Sequence, residues 1–428
     1  MMDALKKHLR NFLRKHAGLR VWVRKVHVAL KESRYSRIAK NAKVDNKMVV
    51  FETFMGRQYG CNPKAIYEYM LTDSRFDDYR LVWVLENPDK AEGIKALERA
   101  EIVKAKSDRY YEVYASAGYV ITNSNLDYGI KKSPEQIFLQ TWHGTPLKKL
   151  RCDIEAEKGN ALNSLDEIKQ KNRLDVVRYD YFISPSAFAT EKFITAFDLA
   201  ALNKTDILVE TGYPRNDLLF NFDEKYSQQV KESLGIAEDK RKIILYAPTF
   251  RDNQHDGAGY TYDLHLDFNR LKEGLSDEYL VLFRAHYFIA NQFDFDKYKG
   301  FVLDVSGLDD ITPLYTIADL LVTDYSSVFF DYACLKRPMV FYMYDLDEYE
   351  DAIRGFYLDT EELPGSIVKT EEELTAAIKE ADNMAPEAVY DSKYEAFASK
   401  YNYLEDGGAS KRVCDILFTT AGEIPMSV

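Results

Sequence analysis

Short apolar runs alternate with amphipathic stretches along most of this chain, and the alternation comes in two blocks. In the first, KMVVFETF (47–54), RLVWVLE (80–86), the weaker Ile102-Val103, GYVITNS (118–124), IFLQTW (137–142), DYFISPS (180–186) and DILVETG (206–212) read as strands. Helices are expected between them: from Asn62-Pro63 to Met70, over KAEGIKALERA, over DRYYEVYASA, and in the charged stretch 153–178. A second block begins near Lys242 with KIILYAPTF, EYLVLFRAH, FVLDVS, LLVTDYSS and PMVFYMY. Repeated strand–helix alternation makes parallel sheets covered by helices, so two blocks predict two doubly wound α/β domains. A length of 428 residues agrees, being more than one ordinary core holds. Ligands of such sheets bind at the carboxyl ends of the strands.

Four groups of chemically capable residues share that position. His143 follows FLQTW; Thr249, Phe250 and Arg251 follow IILYAP; Arg284 and His286 follow YLVLF; Asp324, Ser326 and Ser327 follow LLV. A single histidine is more often structural than functional, but four such groups at one topological position mark a site. The chemistry they suggest is phosphate handling. Thr145-Pro146 has the form of a helix start, with Thr as N-cap and Pro at the first helical position. Ser326-Ser327 forms a second such start, and Asp331, four residues after Ser327, is expected on the same helix face. Free N–H groups at helix starts attract anions. Arg284 and His286, two apart on a strand, point to one side and can clamp a diphosphate. His143, with an ordinary imidazole pKa near ~6.5, can take a proton from an attacking hydroxyl.

Other site types lack their patterns. The chain has no GxxxxGK[ST], no GxGxxG after a strand, no HExxH and no GxSxG. The acidic run DLDEYED (345–351) reads as a solvated segment rather than a cation site. Cys61, Cys152, Cys334 and Cys414 show no paired spacing and are expected as reduced thiols in a cytosolic setting.

The charge is uneven. Residues 1–47 carry fourteen Lys/Arg against three acids, a net +11, which leaves −23 on the remainder of a chain whose total is −12. A basic arm of this kind seeks an anionic partner. Nucleic acid is not expected, since the acidic body repels it and the arm has no recognisable nucleic-acid module. Leu5, Leu9, Phe12 and Leu13 recur at helical spacing, and after Gly18 the pattern restarts with Trp22, Val26, Ala29 and Leu30. A basic amphipathic helix with Leu, Phe and Trp on one side suits an anionic membrane surface. No apolar run approaches the ~20 residues of a membrane span, and no secretory signal is expected.

QTWHGTPLKKL (140–150), DYFISPS (180–186), TGYPRND (211–217), YAPTFR (246–251), FRAH (283–286), TDYSSVFFDYACLKRPMVFYMYDLDEY (323–349) and RGFYLD (354–359), in this order, resemble the CDP-glycerol glycerophosphotransferase family of teichoic acid synthesis. The resemblance covers roughly residues 47 to 400. It implies a GT-B-like fold: two Rossmann-like doubly wound domains with an interdomain cleft, here with the basic amphipathic arm in front. The expected division is residues 1–46 as the membrane-surface arm, 47–215 as the acceptor-side domain and 216–428 as the CDP-donor domain.

The implied reaction moves glycerol phosphate from CDP-glycerol to a hydroxyl of a membrane-linked teichoic acid or capsule acceptor and releases CMP. By motif, His143 resembles the general base, and Arg284 and His286 resemble ligands of the donor diphosphate. Gly144, Thr145, Arg215, Thr249, Phe250, Ser326, Ser327 and Asp331 resemble donor-site positions. No cofactor is expected beyond the donor, and a divalent cation is left open. The implied partners are CDP-glycerol, a lipid-linked polyol-phosphate or disaccharide acceptor and an anionic membrane surface, at the cytoplasmic face of the cell membrane. Rival readings are transfer from CDP-ribitol or another CDP-polyol, a GT-B glycosyltransferase using a nucleotide sugar, and a non-catalytic membrane-surface binding protein. The family's larger polymerases carry a further N-terminal domain, so priming, single addition and polymerisation all stay open.

Overall fold

The computed structural model of the chain describes residues 17–154, 165–249, 266–285, 295–346 and 355–419. The chain divides into two compact units that alternate along the sequence. One holds the chain up to His143, a stretch ending at Ile183, and Phe197–Val209; the other takes up at Gly144, and holds Ser184–Ala196 and the chain from Glu210 onward.

The first unit is built on a seven-stranded sheet. Its strands are β1 (Asp45–Glu52), β2 (Arg80–Leu85), β3 (Glu101–Lys104), β4 (Ala117–Thr122), β5 (Ile137–Gln140), β6 (Tyr181–Ser184) and β7 (Leu208–Glu210), the last two reaching the unit boundary. Their order is β3-β2-β1-β4-β5-β6-β7. Pairing is parallel from β3 through β6, with Val50 opposite Val82 on one side and Val120 on the other. A strand paired on both edges and covered on both faces must be apolar without a break, and Met48 to Phe51 are buried completely. Phe51 stacks on Trp83 with ring centroids 5.5 Å apart, and Tyr67 meets both rings edge-on. Each side chain of this size buried contributes roughly 1.5–3 kcal/mol.

The second unit repeats the plan. The strands β8 (Lys242–Ala247), β9 (Tyr279–Phe283), β10 (Val302–Asp304), β11 (Leu320–Thr323), β12 (Met339–Tyr342) and β13 (Ser366–Val368) form a sheet of order β10-β9-β8-β11-β12-β13, parallel throughout. Apolar clusters fill both faces, one around Leu245, Leu282, Phe329 and Phe341, the other around Tyr246, Phe268, Phe283 and Ile378. The helix Glu371–Asn383 starts on a reciprocal cap, Thr370 receiving the N–H of Glu373 while the Glu373 carboxylate receives that of Thr370.

In both sheets the strand order reverses at one place, between β1 and β4 and between β8 and β11. At such a switch point connections generally leave on opposite faces, which makes the carboxyl edge the place for a ligand crevice. His143, Thr249, Arg284 and Asp324 follow strands at these two edges.

Two expected helices are not present. The stretch KAEGIKALERA forms two separate 3₁₀ turns, Pro88–Ala91 and Lys95–Arg99, because Gly93 takes a left-handed φ of 78° between them. The segment after Thr145-Pro146 is extended, not helical. Its backbone is drawn into pairing with a distant segment: Lys148 bridges Phe356, Lys149 N–H donates to Gly355, and Tyr357 N–H donates to Leu147. Those bonds replace the intrahelical ones that a Thr-Pro start would have led to.

Candidate active site

In the first unit three loops leave the carboxyl edge side by side. The loop after β1 runs through Phe54, Met55 and Gly56, all left-handed, with φ of 47°, 61° and 83°. Trp142, after β5, is also left-handed, with φ of 50°. Such backbone costs on the order of 1–3 kcal/mol per non-glycine residue and persists only where its surroundings impose it. Three buried carboxamides do so here. Asn62 donates to the carbonyls of Thr141 (3.1 Å) and Trp142 (3.2 Å). Gln140 accepts from Trp142 N–H (2.8 Å) and donates to Ser124 O (3.1 Å). Asn123 accepts Phe54 N–H on its side-chain oxygen at 2.8 Å.

This framework presents His143. The residue is exposed, yet its ring is fixed on three sides. Nδ1 lies 2.8 Å from the main-chain oxygen of Asn123. The ring of Trp142 lies tilted at 4.2 Å and that of Phe54 edge-on at 5.4 Å, centroid to centroid. A carbonyl oxygen only accepts, so Nδ1 carries the hydrogen and the lone pair of the neutral ring is on Nε2.

The second unit brings several of the other candidate residues together in pairs. Gly144 packs against Ser327 so closely that a Cβ would meet the Ser327 Oγ at 2.7 Å. Ser327 stands at the N-cap of the short helix Val328–Tyr332, with no side-chain capping bond, and Ser326 precedes it, half-buried. Thr145, which follows Gly144, is buried. At the switch between β8 and β11, Asp324 accepts the N–H of Thr249 at 2.7 Å and of Tyr325 at 2.6 Å on one oxygen. The Thr323 hydroxyl donates to Ala247 at 2.7 Å. Thr249 is thereby held at the end of its strand.

Arg284 leaves β9 with its N–H bonded to Tyr246 O and its Nη1 to the carbonyls of Val305 and Leu308, at 2.8 and 2.5 Å. Burial lowers its pKa, and the charges of Asp310 and Asp309 oppose that. Arg215 and Asp331 form a buried bidentate pair, Nε to Oδ2 at 3.1 Å and Nη2 to Oδ1 at 2.8 Å, with Asn216 adding a bond of 3.3 Å. The guanidinium lies 4.5 Å over the ring of Tyr213. Glu405 accepts Tyr213 N–H at 3.0 Å, and burial pushes its carboxyl up to about 8.

The structure thus joins Gly144 with Ser327 and Arg215 with Asp331, fixes Thr249 through Asp324, and sets Arg284 at the end of β9. His286, Phe250 and Arg251 lie outside the described residues, as does the arm before residue 17. Sequence reasoning passes over Asn62, Asn123, Gln140 and Glu405. Asn123 is reachable, since GYVITNS places it at the end of β4 by the rule that singles out His143. Gln140, the last residue of β5, is reachable in the same way, whereas Asn62 and Glu405 carry no such signal.

Comparison with known proteins follows the same outline. Residues 34–419 match the family model for CDP-Glycerol:Poly(glycerophosphate) glycerophosphotransferase. A teichoic acid glycerol-phosphate transferase of Staphylococcus aureus is 40% identical over 397 residues, 91% of this chain and 97% of its own. A teichoic acid poly(glycerol phosphate) polymerase of Bacillus subtilis is 41% identical over 388 residues, 89% of this chain, and the chain spans about half (50%) of that polymerase. The solved structure of the wall teichoic acid polymerase TagF superposes with a TM-score of 0.80 at 34% identity, covering 96% of this chain and 97% of that one, and a variant of it was soaked with CDPG.

Proposed function

This chain belongs to the CDP-glycerol:poly(glycerophosphate) glycerophosphotransferase family, and we propose that it transfers glycerol phosphate from CDP-glycerol to a hydroxyl of a teichoic acid acceptor, releasing CMP. The observation that carries the reading is His143: an exposed imidazole at a strand end, whose Nδ1–H is taken by Asn123 O so that Nε2 bears the lone pair.

In this mechanism His143 Nε2 accepts the proton of the acceptor hydroxyl as its oxygen attacks the β-phosphorus. The new oxygen–phosphorus bond forms as the bond from the β-phosphorus to the bridging oxygen breaks, and CMP departs with that oxygen. Arg284 and His286 offset charge on the diphosphate, where phosphoryl transfer gains most. Gly144, Thr145, Thr249, Phe250, Ser326 and Ser327 form the rest of the donor site. Arg215 and Asp331, which bind each other, shape it by holding the helix that begins at Ser327. No step calls for a metal. In this reading residues 47–215 carry the acceptor-side role and 216–428 the donor role, with Gly144, Thr145 and Arg215, which fall in the second compact unit, joining the donor side.

The acceptor is lipid-linked in this reading, and the protein works at the cytoplasmic membrane face. Support comes from the helix Ala17–Ile38, which turns Leu19, Trp22, Val23, Val26 and Leu30 to solvent at helical spacing. Among the described residues no helix is long and apolar enough to cross a membrane.

The test is CMP release from CDP-glycerol with a synthetic lipid-linked acceptor, with wild type and His143→Ala side by side. Acceptor-dependent CMP and a product heavier by one glycerol phosphate, both lost in the variant, are expected. Turnover of CDP-ribitol but not CDP-glycerol would overturn the donor, and turnover of neither would overturn the transferase reading.

A further inference from the structure

We propose that Asn123 is the positioning residue of His143, acting through both its side chain and its main chain, an inference that rests on the role of His143 proposed above. The imidazole has two neutral tautomers of similar energy in water, and only the one protonated on Nδ1 offers Nε2 as a base. The Asn123 carbonyl selects that tautomer, at 2.8 Å from Nδ1. A carbonyl in a loop selects a tautomer only as firmly as its own peptide plane is held.

The Asn123 side chain supplies the hold. It is completely buried, and its Oδ1 receives the N–H of Phe54, a residue in strained left-handed backbone whose ring in turn packs on His143. One residue therefore fixes the hydrogen-bond partner of the base and the aromatic wall beside it. The adjacent Met55 N–H donates to Ser124 Oγ at 3.1 Å, which ties the same two loops again. Among the described residues Asn123 Nδ2 has no hydrogen-bond partner, so the acceptor oxygen is the part of the carboxamide that the geometry uses.

This separates two substitutions. Asn123→Ala removes the acceptor and frees the Phe54 loop. Asn123→Asp keeps an acceptor for Phe54 N–H, forfeits no bond at the Nδ2 position, and brings a carboxylate near His143. Such a charge favours the protonated imidazole and moves its titration to higher pH.

The experiment uses the full chain with 15N-labelled histidine. Ring nitrogen shifts of His143, assigned by their loss in His143→Ala, report the tautomer with no substrate present. Transfer kinetics with CDP-glycerol follow on the same samples. The expected result is an Nδ1–H tautomer in the wild type and mixed tautomers in Asn123→Ala. The alanine variant should lose about 10- to 100-fold in kcat with little change in KM for CDP-glycerol, the size of a positioning effect. Asn123→Asp should recover the tautomer and most of kcat, with the acid limb of its pH profile moved upward. An Nε2–H tautomer in the wild type, or an alanine variant with wild-type tautomer and kcat, would overturn the proposal. If Asn123→Ala does not fold, the aspartate variant decides alone: loss of the Nδ1–H tautomer, or a kcat as low as that of His143→Ala, sinks the idea. The tautomer is read without turnover, so failure of the transferase reading is told apart from failure of this one.

Discussion

Gly144 and Ser327 stand so close that the hydrogen on the glycine Cα occupies the space a methyl would need, 2.7 Å from the serine oxygen. Real Cβ atoms do not approach oxygen to that distance, so Gly144→Ala must push Ser327 out of its rotamer or shift the turn. The chain should stay folded, because the serine is only half-buried. In the same variant kcat/KM for CDP-glycerol should fall by about tenfold or more, about 1.4 kcal/mol in the barrier. The double variant Gly144→Ala with Ser327→Gly removes the clash. If steric displacement is the cause, it should not fall further than Ser327→Gly alone.

The Arg215–Asp331 pair is buried on both sides, with side-chain exposures of 6% and 7%. Removing the cation leaves an anion in the interior. Arg215→Met should cost about 3–5 kcal/mol in denaturant unfolding. Arg215→Met with Asp331→Leu should recover much of that stability yet leave transfer impaired, since the helix start at Ser327 loses its anchor. Arg215→Lys should rescue poorly, because an ammonium cannot reproduce the two parallel bonds. A fully additive double-mutant cycle would contradict the pairing.

Glu405 makes stability fall as pH rises. In the folded chain burial holds its pKa at about 8, against 4.5 ordinarily. Between those values the folded state retains a proton that the unfolded chain has released, so its contribution is full below about 4.5 and is lost as pH rises through about 8. Glu52, buried against Tyr114 and Tyr110 and pushed up to about 7, acts in the same direction. Glu405→Gln keeps an acceptor for Tyr213 N–H and has nothing to ionise. Its Tm should exceed wild type at about pH 8, by stability on the order of a few kcal/mol, and the gap should close near about pH 5.

The helix Ala17–Ile38 should bind anionic vesicles. Trp22 and Leu30 are 61% and 65% exposed, and substituting both with Asp removes apolar contact and adds repulsion without touching the core. Sedimentation with vesicles containing anionic lipid should fall to background, with Tm unchanged. Wild-type binding should weaken at about 1 M salt, where the screening length is about 3 Å. Leu174 and Val177, exposed at and just after the end of the helix Leu165–Val176, line one cavity with Val28 of that first helix. Polar substitutions there should give a smaller loss. Full vesicle binding by the double-Asp variant would remove the membrane role of this helix.

What the sequence alone determined was the architecture and the address of the candidate site. Buried parallel strands need unbroken apolar runs, so β1, β2, β4, β8, β9 and β11 are legible, and the doubly wound order puts ligands at their carboxyl ends. His143, Thr249, Arg284 and Ser327 follow from that rule. Tertiary structure decided what each of them touches. Thr145-Pro146 looks like a helix start, yet the following backbone pairs with residues 355–357, a partner that no local propensity contains. Asp331 finds Arg215 across 116 positions of chain. Glu405 reaches Tyr213 across 192 positions, and nothing in the residues around it marks a carboxyl that will be buried. Asn123 serves His143 by a main-chain oxygen, which every residue has. Periodicity is a property of neighbours in the chain, and it is readable there; a hydrogen bond between loops depends on where the fold brings two backbones, and only the folded chain holds that information.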